Sequence, residues 1–253
     1  MREQIRAYTT SGQSHYGRFI SVALHKGRDN HRLSVCIATQ NCAHKLVKAI
    51  ESVLPIADEI VIVDGGSSDN TEGVARSFEK VRYFHHPWQD NYALQKNFAM
   101  DRASGDWILI LDSDEAVGVN MRKKIRRLIA SRRHDCYIFP TYWLIDQDPL
   151  LYVKSEKLYP DYHQRLFRNL PQYRYRENRR AHIKFPEGVQ GAGTKVKDTH
   201  IFHFDYLHND RKAREEKVRK RSELAPDTDH ISRTHYLFED YPHTIKRCRE
   251  KLW

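Results

Sequence analysis

Glycine and proline are sparse in this 253-residue chain, at 11 and 9 residues. That excludes a collagen-like repeat or a Pro/Gly-rich low-complexity chain. Cysteine is scarcer still. Cys36, Cys42, Cys136 and Cys248 stand apart, with no Cys-x-x-Cys pair and no His at zinc-finger spacing. The reading is reduced, mostly buried thiols in a cytosolic protein, not a disulfide framework. Long apolar runs are missing too. The longest, Trp107-Ile-Leu-Ile-Leu111, falls far short of the ~20 residues a membrane-spanning helix requires. Nothing after Met1 resembles the apolar stretch of a signal peptide. The expectation is a cytoplasmic protein with at most peripheral contact at the inner face of the membrane.

What the chain does have is aromatic residues and unevenly placed charge. Fourteen Tyr, 10 Phe and 4 Trp are too many for a disordered chain. The net charge is +10, but it is a sum of unlike parts. Residues 1–31 carry 5 basic and 2 acidic groups, residues 32–115 carry 8 and 13, and residues 116–253 carry 30 and 18. An acidic stretch therefore precedes a strongly basic one, and a basic surface that matters points to phosphate-bearing partners.

Residues 1–31 are polar without a sustained period and read as a loosely attached arm. From residue 33 the pattern alternates. Strands are expected at 33–38, 59–64, 81–84 and 107–111, the second nearly all β-branched, as suits a parallel sheet buried on both faces. Helices are expected at 43–54, where Leu46, Val47, Ile50, Val53 and Leu54 recur at helical spacing before Pro55, and at about 71–79 and 91–103. Alternation of this kind defines an α/β domain with a mostly parallel sheet. After Asp114 a basic helix is expected over 118–131, then aromatic-rich strands at 136–144, 151–153, 164–168 and 200–204. Residues 208–223 and 241–252 read as a charged helical tail. The division is thus an arm (1–31), one domain (32–207, with halves 32–115 and 116–207) and a basic extension (208–253).

Ligands of open parallel sheets bind beyond the carboxyl ends of the strands. Three polar clusters occupy those ends: Thr39-Gln-Asn41, Asp64-Gly-Gly-Ser-Ser-Asp-Asn-Thr71 and Asp112-Ser-Asp114. Asp64 closes a strand of apolar residues, where it either accepts from a nucleobase or ribose or caps the following turn. Asp112 and Asp114, two residues apart in extended chain, would offer two carboxylates to one hard cation. Alternatively Asp112 ends the strand and Asp114 or Glu115 caps a helix after it.

The succession Ser34-Val-Cys-Ile-Ala-Thr-Gln-Asn41, Glu59-Ile-Val-Ile-Val-Asp-Gly-Gly-Ser-Ser-Asp-Asn-Thr71, Gln95-Lys-Asn97 and Ala103-Ser-Gly-Asp-Trp-Ile-Leu-Ile-Leu-Asp-Ser-Asp-Glu115 resembles the inverting family-2 glycosyltransferases of the GT-A fold. That fold is a Rossmann-like, mostly parallel sheet with helices on both faces. Tyr162-His-Gln-Arg-Leu-Phe-Arg168 further resembles the bacterial lipopolysaccharide-core β-glucosyltransferase subgroup. The resemblance implies that Thr39 and Asn41 line the nucleotide pocket, that Asp64 binds the uracil, and that Lys96 and Asn97 support the nucleotide-sugar. Asp112 and Ser113 would face the donor, and Asp112 and Asp114 would hold Mn²⁺ or Mg²⁺ with His203 as a further ligand. The implied donor is a UDP-sugar and the acceptor a saccharide or glycolipid.

An inverting transfer also needs a general base at the acceptor hydroxyl. Where the subgroup shows His-Glu, this chain reads Ala181-His-Ile183, which leaves Asp161 and Glu187 as candidates. The basic clusters at 122–133, 174–180 and 211–221 read as solvated faces, or as surfaces for a phosphate-rich acceptor or an anionic bilayer. Two other classes remain. A nucleotidyltransferase would show a Gly-rich basic signature after the first strand, which Ala38-Thr-Gln-Asn41 lacks. A nucleic-acid-binding module is disfavoured because the strand-end carboxylates repel phosphate.

Overall fold

The structure, a computed structural model, describes residues 31–178, 180–181, 186–188 and 193–253. The polar arm lies outside these apart from His31, as do His182 and Ile183. The first half follows the expected alternation: β1 (Leu33–Thr39), α1 (Ala43–Val53), β2 (Glu59–Asp64), α2 (Thr71–Arg76), β3 (Val81–His85), α3 (Tyr92–Met100) and β4 (Trp107–Asp112). Strands β4, β1, β2 and β3 lie side by side and parallel. Thr39 stands opposite Asp64, and Ala38 opposite Asp112. The three polar clusters are therefore level with one another at one end of the sheet.

Side chains alternate across that sheet with the two-residue period of a strand. Val35, Ile37, Ile60, Ile62, Leu109 and Leu111 pack on one face with Leu46, Ile50 and Val53 of α1 and with Met121, Ile125 and Ile129. Cys36, Val61, Val63, Ile108 and Ile110 pack on the other face with Ala93, Ala99 and Met100 of α3. Both faces are dry, and only the strand ends and their loops are left to meet a ligand.

The second half comprises β5 (Glu115–Val117), α4 (Val119–Ile129), β6 (Cys136–Gln147), β7 (Leu150–Lys154), β8 (Asp161–Arg168), β9 (Thr194–Lys195) and β10 (Ile201–His203). After these come α5 (Asp205–His208), α6 (Arg211–Leu224), α7 (Asp229–Tyr236) and β11 (Thr244–Arg247). Strand β8 joins the parallel set antiparallel to β4, and β6, β7 and β11 extend the sheet outward in the order β8-β6-β7-β11. Strand β10 runs parallel to β6 and antiparallel to β5.

Two expectations change. No helix follows Asp114 directly. Strand β5 intervenes, with Glu115 paired to His203, so neither Asp114 nor Glu115 is a helix cap. Residues 241–252 are not helical either, because 244–247 add to the sheet edge antiparallel to β7. A short charged segment has too little helical propensity to resist an open edge. The extension is thus packed on the domain: Arg214 and Val218 of α6 are buried.

Candidate active site

A cavity of about 880 Å³ opens at the carboxyl ends of β1, β2 and β4. Its walls include Thr39, Asn41 and Gly65 from the first two strand ends, Lys96 from α3, and Asp112, Ser113 and Asp114 after β4. Thr141 and Trp143 of β6 and Asp161, His163 and Arg165 of β8 form a second wall, and Lys217 and Arg221 of α6 with His235 and Tyr236 of α7 a third. The hydroxyls of Thr39 and Thr141 are buried without a hydrogen-bond partner among the described residues. Unmatched polar groups on a cavity wall suit a polar ligand.

The nucleotide end is built by its turn. Asp64 is fully buried, and its Oδ1 accepts the backbone N–H of Gly66 and of Ser67, both at 2.7 Å. Gly66 has φ +101°, a conformation closed to most side chains. A Cβ at Gly65 would stand 3.3 Å from Trp88 Cβ. Asp64 thus caps this turn through Oδ1, its Oδ2 is buried without a hydrogen-bond partner among the described residues, and its neighbour Gly65 is the residue of this turn on the cavity wall. Asn41, at φ 51°, accepts from the Ser68 backbone at 2.8 Å and ties the first strand end to the same turn.

Asp112 lies in a charge network that its motif alone does not disclose. Lys96 Nζ is 2.9 Å from Asp112 Oδ1, and Arg165 reaches Oδ2 at 3.3 Å. Arg165 is itself 2.6 Å from Glu115, a side chain only 1% exposed. Burial would raise the Asp112 pKa, but Lys96 and Arg165 outweigh it and hold this carboxyl well below the usual range. Asn97 does not reach the cavity. Its amide clamps the Tyr175 backbone, donating to the carbonyl at 2.9 Å and accepting the N–H at 2.8 Å. Ser113 stays on the wall, its hydroxyl 3.4 Å from Cys42 Sγ.

Asp114 faces His203 Nε2 at 3.7 Å and Lys217 Nζ at 3.6 Å, both beyond hydrogen-bond range. Burial opposes its ionisation, but these two groups bring its pKa down to about 2. His203 stacks on Trp143 with centroids 4.1 Å apart. Its Nδ1 accepts the backbone N–H of Asp205 at 3.2 Å. That puts the neutral ring's proton on Nε2, facing Asp114. In this tautomer Nε2–H points toward Asp114 from beyond hydrogen-bond range, and ligation of a metal through Nε2 would require that proton to leave. Among the described residues no group of three or more His, Cys, Asp or Glu side chains could hold a metal. The donor set fits the other kind of divalent site, in which one or two carboxylates bind an ion completed by waters and substrate phosphates. Neither oxygen of Asp114 is hydrogen-bonded among the described residues, whereas Asp112 would have to release a cation.

The two base candidates separate clearly. Asp161 is 4% exposed and accepts from Trp143 Nε1 at 3.1 Å and from His163 Nε2 at 2.8 Å on the cavity wall. Glu187 is exposed, pairs with Arg176 at 2.5 Å and does not line the cavity. It is a surface ion pair. Asp161, His163 and Arg165 of β8 all line the cavity, Arg165 at a bulge where the pairing with β6 passes from Gln164 to Leu166. The quoted motif held His163 and Arg165, but not the pairing that brings them to one wall. Lys217 and Arg221 were read as part of a solvated helix and instead stand on the wall.

Carboxylates at the carboxyl ends of a parallel sheet, an antiparallel flank and one shared cavity define a GT-A-type transferase domain. Residues 34–194 match the family described as "Glycosyl transferase family 2", and the chain belongs to that family. An uncharacterized glycosyltransferase of Rickettsia felis is 32% identical over 131 residues, which is 50% of this chain and 46% of that protein. The lipopolysaccharide core biosynthesis glycosyltransferase LpsC of Rhizobium meliloti is 37% identical over 103 residues, 39% of this chain and 37% of that one. The chain thus spans less than half the length of these relatives. Among solved structures, S. aureus TarS superposes with a TM-score of 0.54 at 14% identity, over 81% of this chain and 43% of that one. A 1–349 form of TarS in complex with UDP gives 0.50 at 14% identity, over 81% and 70%. At that identity the likeness concerns the fold.

Proposed function

We propose that this domain transfers one hexose, with inversion, from a nucleoside-diphosphate sugar to a hydroxyl of a saccharide or glycolipid acceptor. The observation that carries the reading is the single cavity in which the Asp112–Lys96–Arg165 network and Asp161 stand on two adjoining walls. Thr39, Asn41 and Gly65 form the nucleoside end, and Lys96 and Asp112 the ribose side. UDP is favoured because TarS 1–349 was solved in complex with it. A lipopolysaccharide-core acceptor is favoured by the likeness to LpsC.

Asp161 takes the proton from the acceptor hydroxyl. The freed oxygen bonds to the anomeric carbon as the bond from that carbon to the diphosphate breaks, its electron pair leaving with the diphosphate. Trp143 and His163 fix the carboxylate so that it meets the hydroxyl in one orientation. Asp114, with Asp112, would hold Mn²⁺ or Mg²⁺, whose chemistry is to neutralise charge gathering on the diphosphate. An acceptor anchored in a membrane would approach the basic second half. No helix among the described residues is long and apolar enough to cross a bilayer.

The test is thermal stabilisation by a panel of nucleotide-sugars with and without Mn²⁺, since a ligand that binds only the folded state raises the melting temperature. UDP-sugars should raise it, and Asp114→Asn should remove the part that depends on Mn²⁺. If no nucleotide-sugar shifts the melting temperature, the donor assignment is wrong.

A further inference from the structure

Arg221 has no ion pair among the described residues, and Asp112 and Asp114 act on its charge only from a distance. Its guanidinium lies between two rings, 5.0 Å from the centroid of Tyr92 and 5.1 Å from that of Tyr236. Its Nε is buried and has no hydrogen-bond partner, and no carboxylate pairs with it among the described residues. Aromatic faces stabilise a cation partially, but they leave its N–H groups unused. One helical turn earlier, Lys217 shares the same face of α6. Its ammonium pairs with buried Asp205 and stands 3.6 Å from Asp114. Both cations line the cavity beside Asp112 and Asp114. Elsewhere on α6, Arg219 pairs with Glu216 and Glu223, and Arg211 with Glu215 and Asp240.

We infer that Arg221, assisted by Lys217, binds the diphosphate of the donor, so that the basic C-terminal helix completes the donor site. This rests on the donor reading above and assigns α6 a different partner from the acceptor or bilayer that its charge suggests. A planar guanidinium with free donors suits two phosphoryl oxygens at once. The anion would enter beside Asp114 and exchange the unmatched Arg221 N–H groups for charge-assisted hydrogen bonds. The two tyrosines hold the fork in place beforehand, which limits what binding must immobilise. As the sugar leaves, the same pair would meet the extra negative charge released on the diphosphate.

The experiment is calorimetric titration of the full chain with UDP, uridine and inorganic pyrophosphate, comparing wild type with Arg221→Gln and Arg221→Lys. Arg221→Gln should weaken UDP and pyrophosphate at least tenfold and leave uridine within twofold, while Arg221→Lys recovers part of the loss. Because Arg221 has no ion pair among the described residues, Arg221→Gln should lower the melting temperature without ligand only slightly, by the loss of its two ring contacts. Equal UDP affinity in wild type and Arg221→Gln overturns the inference and leaves the donor reading intact. Equal weakening of UDP and uridine also overturns it, because the role is then structural. If wild type binds pyrophosphate through Arg221 but no nucleoside diphosphate, the donor reading falls while the anion site stands. If it binds neither, both fall.

Discussion

Lys96 Nζ and Asp112 Oδ1 stand 2.9 Å apart on the cavity wall, and Arg165 takes the other oxygen of the same carboxylate. The two cations differ in what else they hold. Lys96 pairs with no carboxylate but Asp112 among the described residues, whereas Arg165 also pairs with Glu115. Burial and the neighbouring Asp112 push the Glu115 pKa up to about 8 despite that contact. Lys96→Met should therefore keep the fold and lower kcat/KM for sugar transfer by about a hundredfold, as loss of one positioned charge does. Arg165→Met should destabilise the protein by about 1–3 kcal/mol, the usual cost of leaving buried polar groups on Asp112 and Glu115 without their hydrogen bonds. Urea unfolding of both variants separates the outcomes. Similar midpoints would show that Glu115 does not depend on Arg165.

Glu59 ties three segments together away from the cavity. Its carboxylate accepts from Ser34 Oγ at 2.6 Å and from the Ser104 backbone at 2.5 Å, and pairs with Arg82 at 2.6 Å. Burial pushes its pKa up, but these partners win and lower it to about 2 from an ordinary 4.5. A carboxylate depressed on folding contributes stability that is complete above the unfolded pKa and is lost as pH falls through the folded one. Glu59→Gln should cost about 2 kcal/mol at pH 7, within the range for hydrogen bonds to a charged group. The gap to wild type should narrow as pH falls from about 4.5 toward 2. A gap unchanged across that window would mean that the charged form is not what Ser34 and Arg82 recognise.

Asp161 and Glu187 were equal as bases in the sequence because each sits among turn-forming residues. Exposure and partners now separate them, and the prediction is asymmetric. Asp161→Asn should lower kcat by about a thousandfold with KM for the donor little changed, within the usual range for a lost general base. Glu187→Gln breaks only an exposed ion pair, worth ~0–1 kcal/mol, and should transfer sugar as wild type does. Steady-state kinetics of both variants decides between them, and a large loss in Glu187→Gln would reverse the assignment.

The first half of the fold was legible because each strand there is a run of apolar, mostly β-branched residues, closed by polar residues that packing does not require. Asp112 and Asp114 stood out for that reason. Arg165 did not, because its partners Asp112 and Glu115 lie about fifty positions upstream and meet it only once β8 pairs with β4. Arg221 was hidden differently. A helix rich in Lys, Arg and Glu reads as solvated until one of its cations is found between two rings contributed by α3 and α7. Residues 244–247 carried no strand signal of their own, because the open edge of β7 determines their conformation. In each case the missing information was a long-range contact, which local pattern does not encode.

Asp64 gives the remaining prediction, since resemblance and geometry assign it different work. If it is the cap of the 65–67 turn, what it supplies is one oxygen accepting two backbone N–H groups. An asparagine carbonyl can accept the same pair, and alanine cannot. Asp64→Asn should then retain UDP affinity within about twofold. Asp64→Ala should lose about 2–3 kcal/mol of stability through two unmet N–H groups, together with donor affinity as the turn bearing Gly65 relaxes. A residue that touched the uracil directly would behave otherwise. Asp64→Asn would melt like wild type yet bind UDP at least tenfold more weakly, because an amide NH₂ would meet the base where a carboxylate oxygen had accepted from it. Calorimetric UDP affinity, measured beside the melting temperature of each variant, distinguishes the two.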